Sequence, residues 1–221
     1  TRKSLFNDTS GVAVGGGAYF RTSTANNEKT ASATVELRGR KLTSLTSITA
    51  SDFGNLRQGS TRNPFHGDWG LKPFVVETEN GTDAVKPNDD SNVQDPTAYK
   101  QLDVLEKLRL RTGENTIHQL NFQISTTNDV PRYDRLSEYS LDTAGNIVPV
   151  QAAWYYGPQK RMLAASTLEL PRETGLFTTA RVPPSYQAIE QSRHSRGFGS
   201  SRIGHNVEKV TVLGFNADFE K

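Results

Sequence analysis

The chain has 221 residues, and its 26 lysines and arginines nearly balance its 24 aspartates and glutamates, for a formal net charge of +2. This balance provides no basic surface of the kind that binds nucleic acid, so no nucleic-acid partner is predicted. The chain has no cysteine, which excludes disulfides, thiolate metal sites and cysteine nucleophiles. No apolar run approaches the roughly 20 residues of a membrane-spanning helix, but membrane-spanning strands alternate in polarity and are not excluded.

Apolar and polar residues alternate with a period of two along much of the chain, which predicts an all-β fold. In the segment 30–40, for example, small and aliphatic residues alternate with polar ones, so that one face of the strand is apolar and the other polar. Eight antiparallel strands are predicted at about residues 11–24, 30–40, 42–57, 102–111, 116–127, 160–170, 176–191 and 207–219.

The predicted connections fall into two classes. Strands two and three, four and five, and six and seven are joined by tight turns, at Gly39–Arg40, Thr112–Asn115 and Pro171–Gly175. Long loops are predicted at about 58–101, 128–159 and 192–206, and one short connection, Asn26–Lys29, joins strands one and two. Since successive connections of a meander alternate between its two ends, the tight turns lie at one end and the long loops at the other.

This sorting of connections is typical of outer-membrane barrels, which have short periplasmic turns and long extracellular loops. Strands of about ten residues also match the ~9 to 11 residues that a tilted strand needs to cross the hydrocarbon. The sequence therefore predicts an antiparallel up-and-down transmembrane β-barrel. The alternative is a soluble β-sandwich, whose strands average nearer ~5 to 6 residues.

The segment Asp103–Ser125 is predicted to form the hairpin of strands four and five, with a leucine-rich face and a polar face. A charge on the lipid side at mid-bilayer costs ~2 to 4 kcal/mol, so the polar face is predicted to point into the lumen. Glu106 interrupts the apolar face and is predicted to point outward unless a bulge or a position near the rim moves it. The predicted lumen-facing residues are Arg38, Lys107, Arg109, Arg111, Asn121 and Gln123.

Four stretches, in order along the chain, resemble TonB-dependent outer-membrane receptors of the Bacteroidota type. They are SDFGNLRQGSTRNPFHGDWGLKPF from Ser51, LDVLEKLRLRTGENTIHQLNFQISTTNDVPRYDRL from Leu102, WYYGPQKRMLAASTLELP from Trp154 and HSRGFGSSRIGHNVEKV from His194. The resemblance covers almost the whole chain. It implies a barrel of about 22 strands closed around an N-terminal plug, located in the bacterial outer membrane, that imports a scarce nutrient such as a metal chelate, vitamin, glycan or peptide.

The resemblance also implies partners: outer-membrane lipid, the TonB energy-transducing complex and a surface lipoprotein. The sequence shows no plug, no TonB box and no further strands, so residues 1–221 are predicted to be a segment of a single larger barrel domain, lacking the segment that contacts TonB. The alternative is a complete eight-stranded barrel, whose interior would be just wide enough for side chains.

Aromatic residues of the long loops are the candidates for ligand and membrane contacts. Phe65, Trp69 and Phe74 lie in the first long loop and are candidates for ligand contact, and for Trp69 a place at the membrane interface is the alternative. Trp154, Tyr155 and Tyr156 are predicted to lie at the membrane interface, because their rings are apolar while an N–H or O–H still reaches water.

No metal site, cofactor or catalytic residue is predicted. His66, His118, His194 and His205 are interpreted as solvated loop or interfacial residues, although the last two flank one loop. The oxygen-rich run Asn88–Asn92 lacks the glycine and terminal glutamate of an EF-hand loop. Without an acid–base pair or nucleophile the chain is predicted not to be an enzyme, and the alternative function is a binding module that recognises carbohydrate or protein through aromatic loops.

Overall fold

The computed structural model describes residues 5–7, 11–113, 116–171 and 176–221. The described strands are β1 (Ala13–Ser23), β2 (Glu28–Arg38), β3 (Leu42–Phe53), β4 (Leu56–Arg57), β5 (Phe74–Glu79), β6 (Thr82–Pro87), β7 (Val93–Gln94), β8 (Tyr99–Arg111), β9 (Ile117–Thr127), β10 (Val130–Pro131), β11 (Tyr139–Leu141), β12 (Ile147–Pro149), β13 (Gln151–Tyr156), β14 (Lys160–Pro171), β15 (Thr179–Val182), β16 (Ser185–Gly197), β17 (Gly204–Gly214) and β18 (Asp218–Glu220). One short helix, α1 (Tyr133–Leu136), follows β10. The described residues include no helix with the length and apolarity that a membrane crossing requires.

Twelve of these strands form one antiparallel sheet. β13 and β14 follow each other in one column, since both pair with β16, and β15 continues β16 in the next column. The sheet therefore has eight columns in chain order: β1, β2, β3, β8, β9 with β10, β13 with β14, β15 with β16, and β17 with β18. The prediction of an all-β, antiparallel fold is confirmed.

The sheet is open in the part of the chain that the structure describes. There β1 pairs with β2 alone and β17 with β16 alone, so the outer edge of each strand has no partner strand. Closure into a barrel and contact with lipid stay predictions.

The loops and turns differ in detail from their predicted bounds. The third predicted strand ends at Phe53, and Leu56–Arg57 pairs with β7 instead. The predicted loop 192–206 shortens to 198–203, because the end of β16 continues to pair with β13 on one side and with β17 on the other. The first two long loops contain the small sheets β4–β7, β5–β6 and β11–β12. Of the predicted tight turns, residues 114–115 and 172–175 lie outside the described residues.

The two faces of the large sheet differ in polarity, because side chains alternate along each strand and directly paired residues share a face. One face, here called the apolar face, carries large hydrophobic side chains that are 36% to 79% exposed. They are Val14, Phe20, Val35, Leu37, Leu42, Ile48, Leu102, Leu110, Leu120, Phe122, Ile124, Leu170, Tyr186, Val207, Leu213 and Phe219. The buried hydrophobic residues among those described are Leu45, Leu136 and Ala180. The sheet thus exposes its apolar side chains instead of collecting them in a core.

Candidate functional site

The opposite side of the sheet, here called the polar face, is a hydrogen-bonded network of polar side chains. Ser32 and Thr49 share a hydrogen bond of 2.8 Å across β2 and β3, and Thr34 and Ser47 one of 3.0 Å. The carboxylate of Glu28 accepts from Thr30 Oγ1 at 2.6 Å and pairs with the guanidinium of Arg21. Further buried polar residues of this face are Glu36 and Thr43. The hydrogen bonds of Glu28, Thr30 and Ser32 avoid the cost of burying unpaired polar groups, whereas the Thr43 hydroxyl has no partner among the described residues.

All six residues that the sequence predicts as lumen-facing lie on this polar face. The pairing register places Arg38 opposite Thr43, Thr43 opposite Arg109, and Lys107 opposite Asn121. Gln123 donates to Asn121 Oδ1 at 3.2 Å on the same strand, and Arg111 is two residues from Arg109. Cationic and amide side chains therefore lie on the same face of β2, β8 and β9, with Thr43 of β3 between the first two.

The segment before β1 also lies on the polar face. The ring of Phe6 is 4.9 Å from the guanidinium carbon of Arg109 and 4.3 Å from that of Arg111. The backbone N–H of Asn7 donates to the Gly39 carbonyl at 3.2 Å, near the tight turn between β2 and β3. Stacking of guanidinium groups on an aromatic ring is favourable, so Phe6 anchors this segment. No sequence motif marked the contact.

Glu106 lies on the apolar face near the middle of β8. The register of β8 with β3 and with β9 runs without a break, so no bulge moves the residue inward. Its carboxylate accepts hydrogen bonds from Ser44 Oγ at 2.6 Å and Thr46 Oγ1 at 2.5 Å on β3. The two hydroxyls explain how a carboxylate is accommodated on this face, and they also explain why β3 has polar residues there.

The first long loop holds the predicted ligand-contacting aromatics at the long-loop end of the sheet. Phe65 is 88% exposed and Trp69 is 78% exposed, whereas Phe74 begins β5 and packs against Lys72. The ammonium of the buried Lys72 lies 4.4 Å from the centroid of the Phe74 ring and 5.9 Å from that of Tyr133. Only Phe65 and Trp69 therefore present most of their ring surface to solvent.

Lys72 joins the first long loop to the second. Its ammonium donates to the Leu136 carbonyl at the end of α1. Burial lowers the pKa of Lys72 to about 8, and the charge of Asp95 opposes part of this shift. The sequence contains no signal for this contact, because a lone lysine in a polar loop is ordinarily solvated.

A buried ion pair joins the first long loop to β16. Arg196 contacts both carboxylate oxygens of Asp83, at 2.6 and 2.7 Å, and the N–H of Gly199 donates to the same carboxylate at 2.8 Å. The side chains of Asp83 and Arg196 are 1% and 11% exposed. The hydrogen bonds from Arg196 hold the pKa of Asp83 well below its usual range.

The three predicted interface aromatics lie in β13 and alternate between its two sides. Tyr155 pairs with His194 and stacks on its ring, with centroids 4.9 Å apart, on the side continuous with the apolar face. Trp154 and Tyr156 point to the opposite side and contact each other edge to face at 4.9 Å. The guanidinium of Arg132 lies 4.8 Å from the Trp154 ring. A role at the membrane interface stays a prediction, and the alternation favours Tyr155 for it.

The other candidate metal ligands either lie apart from one another or already have hydrogen-bond or ion-pair partners. In the run Asn88–Asn92, Asp90 accepts from Asn92 at 3.0 Å and pairs with Arg57 at 2.6 Å. His118 lies on the apolar face opposite Leu110, far from the loop that carries His66. Among the described residues no group of three or more histidine and carboxylate side chains is arranged to hold a metal ion.

No family model, curated protein or solved structure matches the chain. The function is therefore inferred from the polarity of the two faces of the sheet and from the side chains at its long-loop end.

Proposed function

We propose that the chain is part of the wall of an outer-membrane transporter, of the TonB-dependent receptor type that its sequence resembles. The transporter imports a scarce nutrient across the bacterial outer membrane, and the chain itself catalyses no reaction. The observation that carries the proposal is the exposed apolar face, which extends over neighbouring columns of the sheet.

An apolar face of this extent needs a partner. Large soluble monomers rarely expose contiguous apolar patches of more than a few hundred Å², and removal of apolar surface from water stabilises by ~25 cal/mol per Å². The long strands β2, β3, β8, β9 and β14 have 11 to 13 residues each, enough for a tilted strand to cross the hydrocarbon. Acyl chains of lipid are a partner that matches both the length and the polarity.

The polar face supports a water-filled or plug-filled interior. Hydrogen bonds and an ion pair join several of its polar side chains, and Phe6 brings the preceding segment onto this face beside Arg109 and Arg111. In a receptor of this type the interior is occupied by a plug that precedes the barrel strands. The position of Phe6 is consistent with a chain that passes from such a plug into β1.

The unpaired outer edges of β1 and β17 support a larger barrel. An exposed long edge offers unpaired N–H and C=O groups, and these are not tolerated in hydrocarbon. The proposal therefore pairs each edge with a further strand of the same barrel. The TonB complex, outer-membrane lipid and a surface lipoprotein are the partners that this proposal includes, and Phe65 and Trp69 are its ligand contacts.

Substitution on the two faces of β9 tests the proposal. The receptor gene with Leu120→Arg should assemble poorly, because the charge faces the middle of the bilayer at a cost of ~2 to 4 kcal/mol. The matched control is Gln123→Arg on the polar face, which should assemble as the wild type does. Assembly is measured as the heat-modifiable, detergent-extracted fraction in outer membranes. Equal assembly of the two variants, or recovery of the wild-type protein as a soluble monomer without detergent, would contradict the proposal.

A further inference from the structure

His194 and His205 form a cross-strand pair at the long-loop end of β16 and β17. They are directly opposite each other in the register, their Nδ1 atoms are 2.6 Å apart and their ring centroids 4.8 Å apart. The short distance means that one proton lies between the two nitrogens, since two lone pairs would repel each other and two N–H groups would clash.

The hydrogen bonds of Ser192 determine which nitrogen of His194 carries its proton. Ser192 Oγ is 2.5 Å from the carbonyl oxygen of Gly157, to which it donates its only hydrogen. The same Oγ is 2.8 Å from His194 Nε2, so it must accept from that nitrogen. Neutral His194 therefore has its proton on Nε2 and a lone pair on Nδ1 directed at His205.

This arrangement is the one found around a histidine that binds a metal. Such a residue donates its second ring N–H to an oxygen, which fixes the tautomer and the ring orientation. The stacked ring of Tyr155, at 4.9 Å and 19° from that of His194, restrains the same imidazole further. His205 is exposed, so an ion can reach the pair from solvent.

We propose that His194 and His205 form a two-histidine site for a divalent transition-metal ion that favours square or tetragonal coordination, such as Cu²⁺ or Ni²⁺. Two nitrogens bound to one metal at ~2.0 to 2.1 Å are about 2.9 Å apart at a right angle and about 3.3 Å apart at a tetrahedral angle. The observed pair needs to open by only about 0.3 Å for the first geometry. The ion replaces the bridging proton, which moves to His205 Nε2 or to solvent, so that both Nδ1 atoms donate lone pairs.

The site holds the ion by two protein ligands. No third histidine or carboxylate in the described residues joins the pair, so water completes the coordination. Metal binding joins β16 to β17 independently of any membrane, and its test is therefore separate from that of the transport proposal.

Titration of the full chain in detergent with NiCl₂ or CuSO₄, followed by calorimetry, tests the site. We expect one equivalent of metal to bind, and His194→Ala or His205→Ala to weaken binding by at least about 100-fold through loss of the chelate. Ser192→Ala should weaken it about 10-fold by releasing His194 Nε2. His66→Ala, in an exposed loop, is the matched control and should bind as the wild type does.

Spectroscopy of Cu²⁺ bound to the wild-type protein gives a second test of the site. The electron paramagnetic resonance spectrum of one equivalent of Cu²⁺ should show coupling to two imidazole nitrogens. A spectrum with one nitrogen or none, or wild-type affinity in either His194→Ala or His205→Ala, would overturn the proposal.

Discussion

Asp83 and Arg196 are 113 residues apart in the sequence, yet their side chains form a two-pronged ion pair with N···O distances of 2.6 and 2.7 Å. The pair fastens the β5–β6 hairpin to the end of β16. Arg196 also donates to Thr78 Oγ1 at 2.8 Å and to the Ser200 carbonyl at 2.8 Å. The Arg196 guanidinium thus holds together, at the long-loop end of the sheet, two segments that are distant in the sequence.

Asp83→Asn should release the β5–β6 hairpin from β16. The variant leaves the Arg196 guanidinium without its counter-charge in a nearly buried site, and breaking such a pair costs about 3 kcal/mol. Hydrogen exchange of residues 74–87 measures the effect, which should be a loss of protection there with the large sheet unchanged. Glu77→Gln removes an exposed partner of Lys86 and should leave protection as it was.

The pH dependence of this contact follows from the lowered pKa of Asp83. A carboxyl whose pKa is depressed by folding stabilises the folded state fully above its ordinary pKa of 3.8 and loses that contribution as the pH falls. Protection of residues 74–87 should therefore be constant from pH 8 to about pH 5 and should decline only in stronger acid. A decline already at pH 6 to 7 would contradict the ion pair.

Lys72 should also make stability rise with pH, but in the alkaline range instead of the acidic one. Its pKa is about 8 in the folded protein against an ordinary 10.5, so the unfolded chain binds more protons between these values and stability rises with pH. Each pH unit in this range contributes about 1.4 kcal/mol, so the free energy that favours packing of the two loops around Lys72 should rise by up to about 3 kcal/mol from pH 8 to 10.5. Hydrogen exchange of residues 133–136, corrected for intrinsic rates, measures this gain.

Lys72→Met is the control for that measurement. It keeps an unbranched side chain of similar length beside Phe74 but has no ionisable group. Its protection should be independent of pH over the same range. A wild-type profile that is equally flat would show that the ammonium is not buried in the closed loops.

The contribution of Glu106 to the free energy of unfolding should depend on the hydroxyls of Ser44 and Thr46, from which its carboxylate accepts hydrogen bonds. Replacement of Ser44 and Thr46 by alanine and valine removes both donors and leaves a carboxylate unpaired on the apolar face, a loss of about 1 to 3 kcal/mol. The same double substitution in a Glu106→Leu background should cost much less, because no carboxylate then remains. Denaturant unfolding of the folded protein in lipid vesicles gives the four free energies of the cycle. Additive effects would contradict the coupling.

The features predicted from sequence are those that depend on local pattern. Alternation within each strand and the tight turn at Gly39 need only neighbouring residues, and they predicted the eight antiparallel columns. The sequence of β13, QAAWYY, does not alternate between apolar and polar residues, so β13 falls within the predicted loop 128–159. The partners of Lys72 and Asp83 lie 64 and 113 residues away, and only the folded chain brings them together.

The two tryptophans should report opposite environments. Trp69 is 78% exposed in the first long loop, whereas Trp154 lies in β13 under the guanidinium of Arg132 and against the Tyr156 ring. Single-tryptophan variants, Trp154→Phe and Trp69→Phe, isolate the two signals. Iodide should quench Trp69 several-fold more strongly than Trp154, because collision requires access to the ring.

Brominated lipids extend this measurement to the membrane. The Trp154 ring points away from the side continuous with the apolar face, so if the sheet inserts as proposed, lipid bromine should quench this ring weakly. Replacing Tyr155 by tryptophan, in a chain without Trp69 and Trp154, moves the reporter to the other side of β13 and should restore strong quenching. Strong quenching at position 154 and weak quenching at 155 would show that the lipid lies on the polar face, and would contradict the assignment of the two faces.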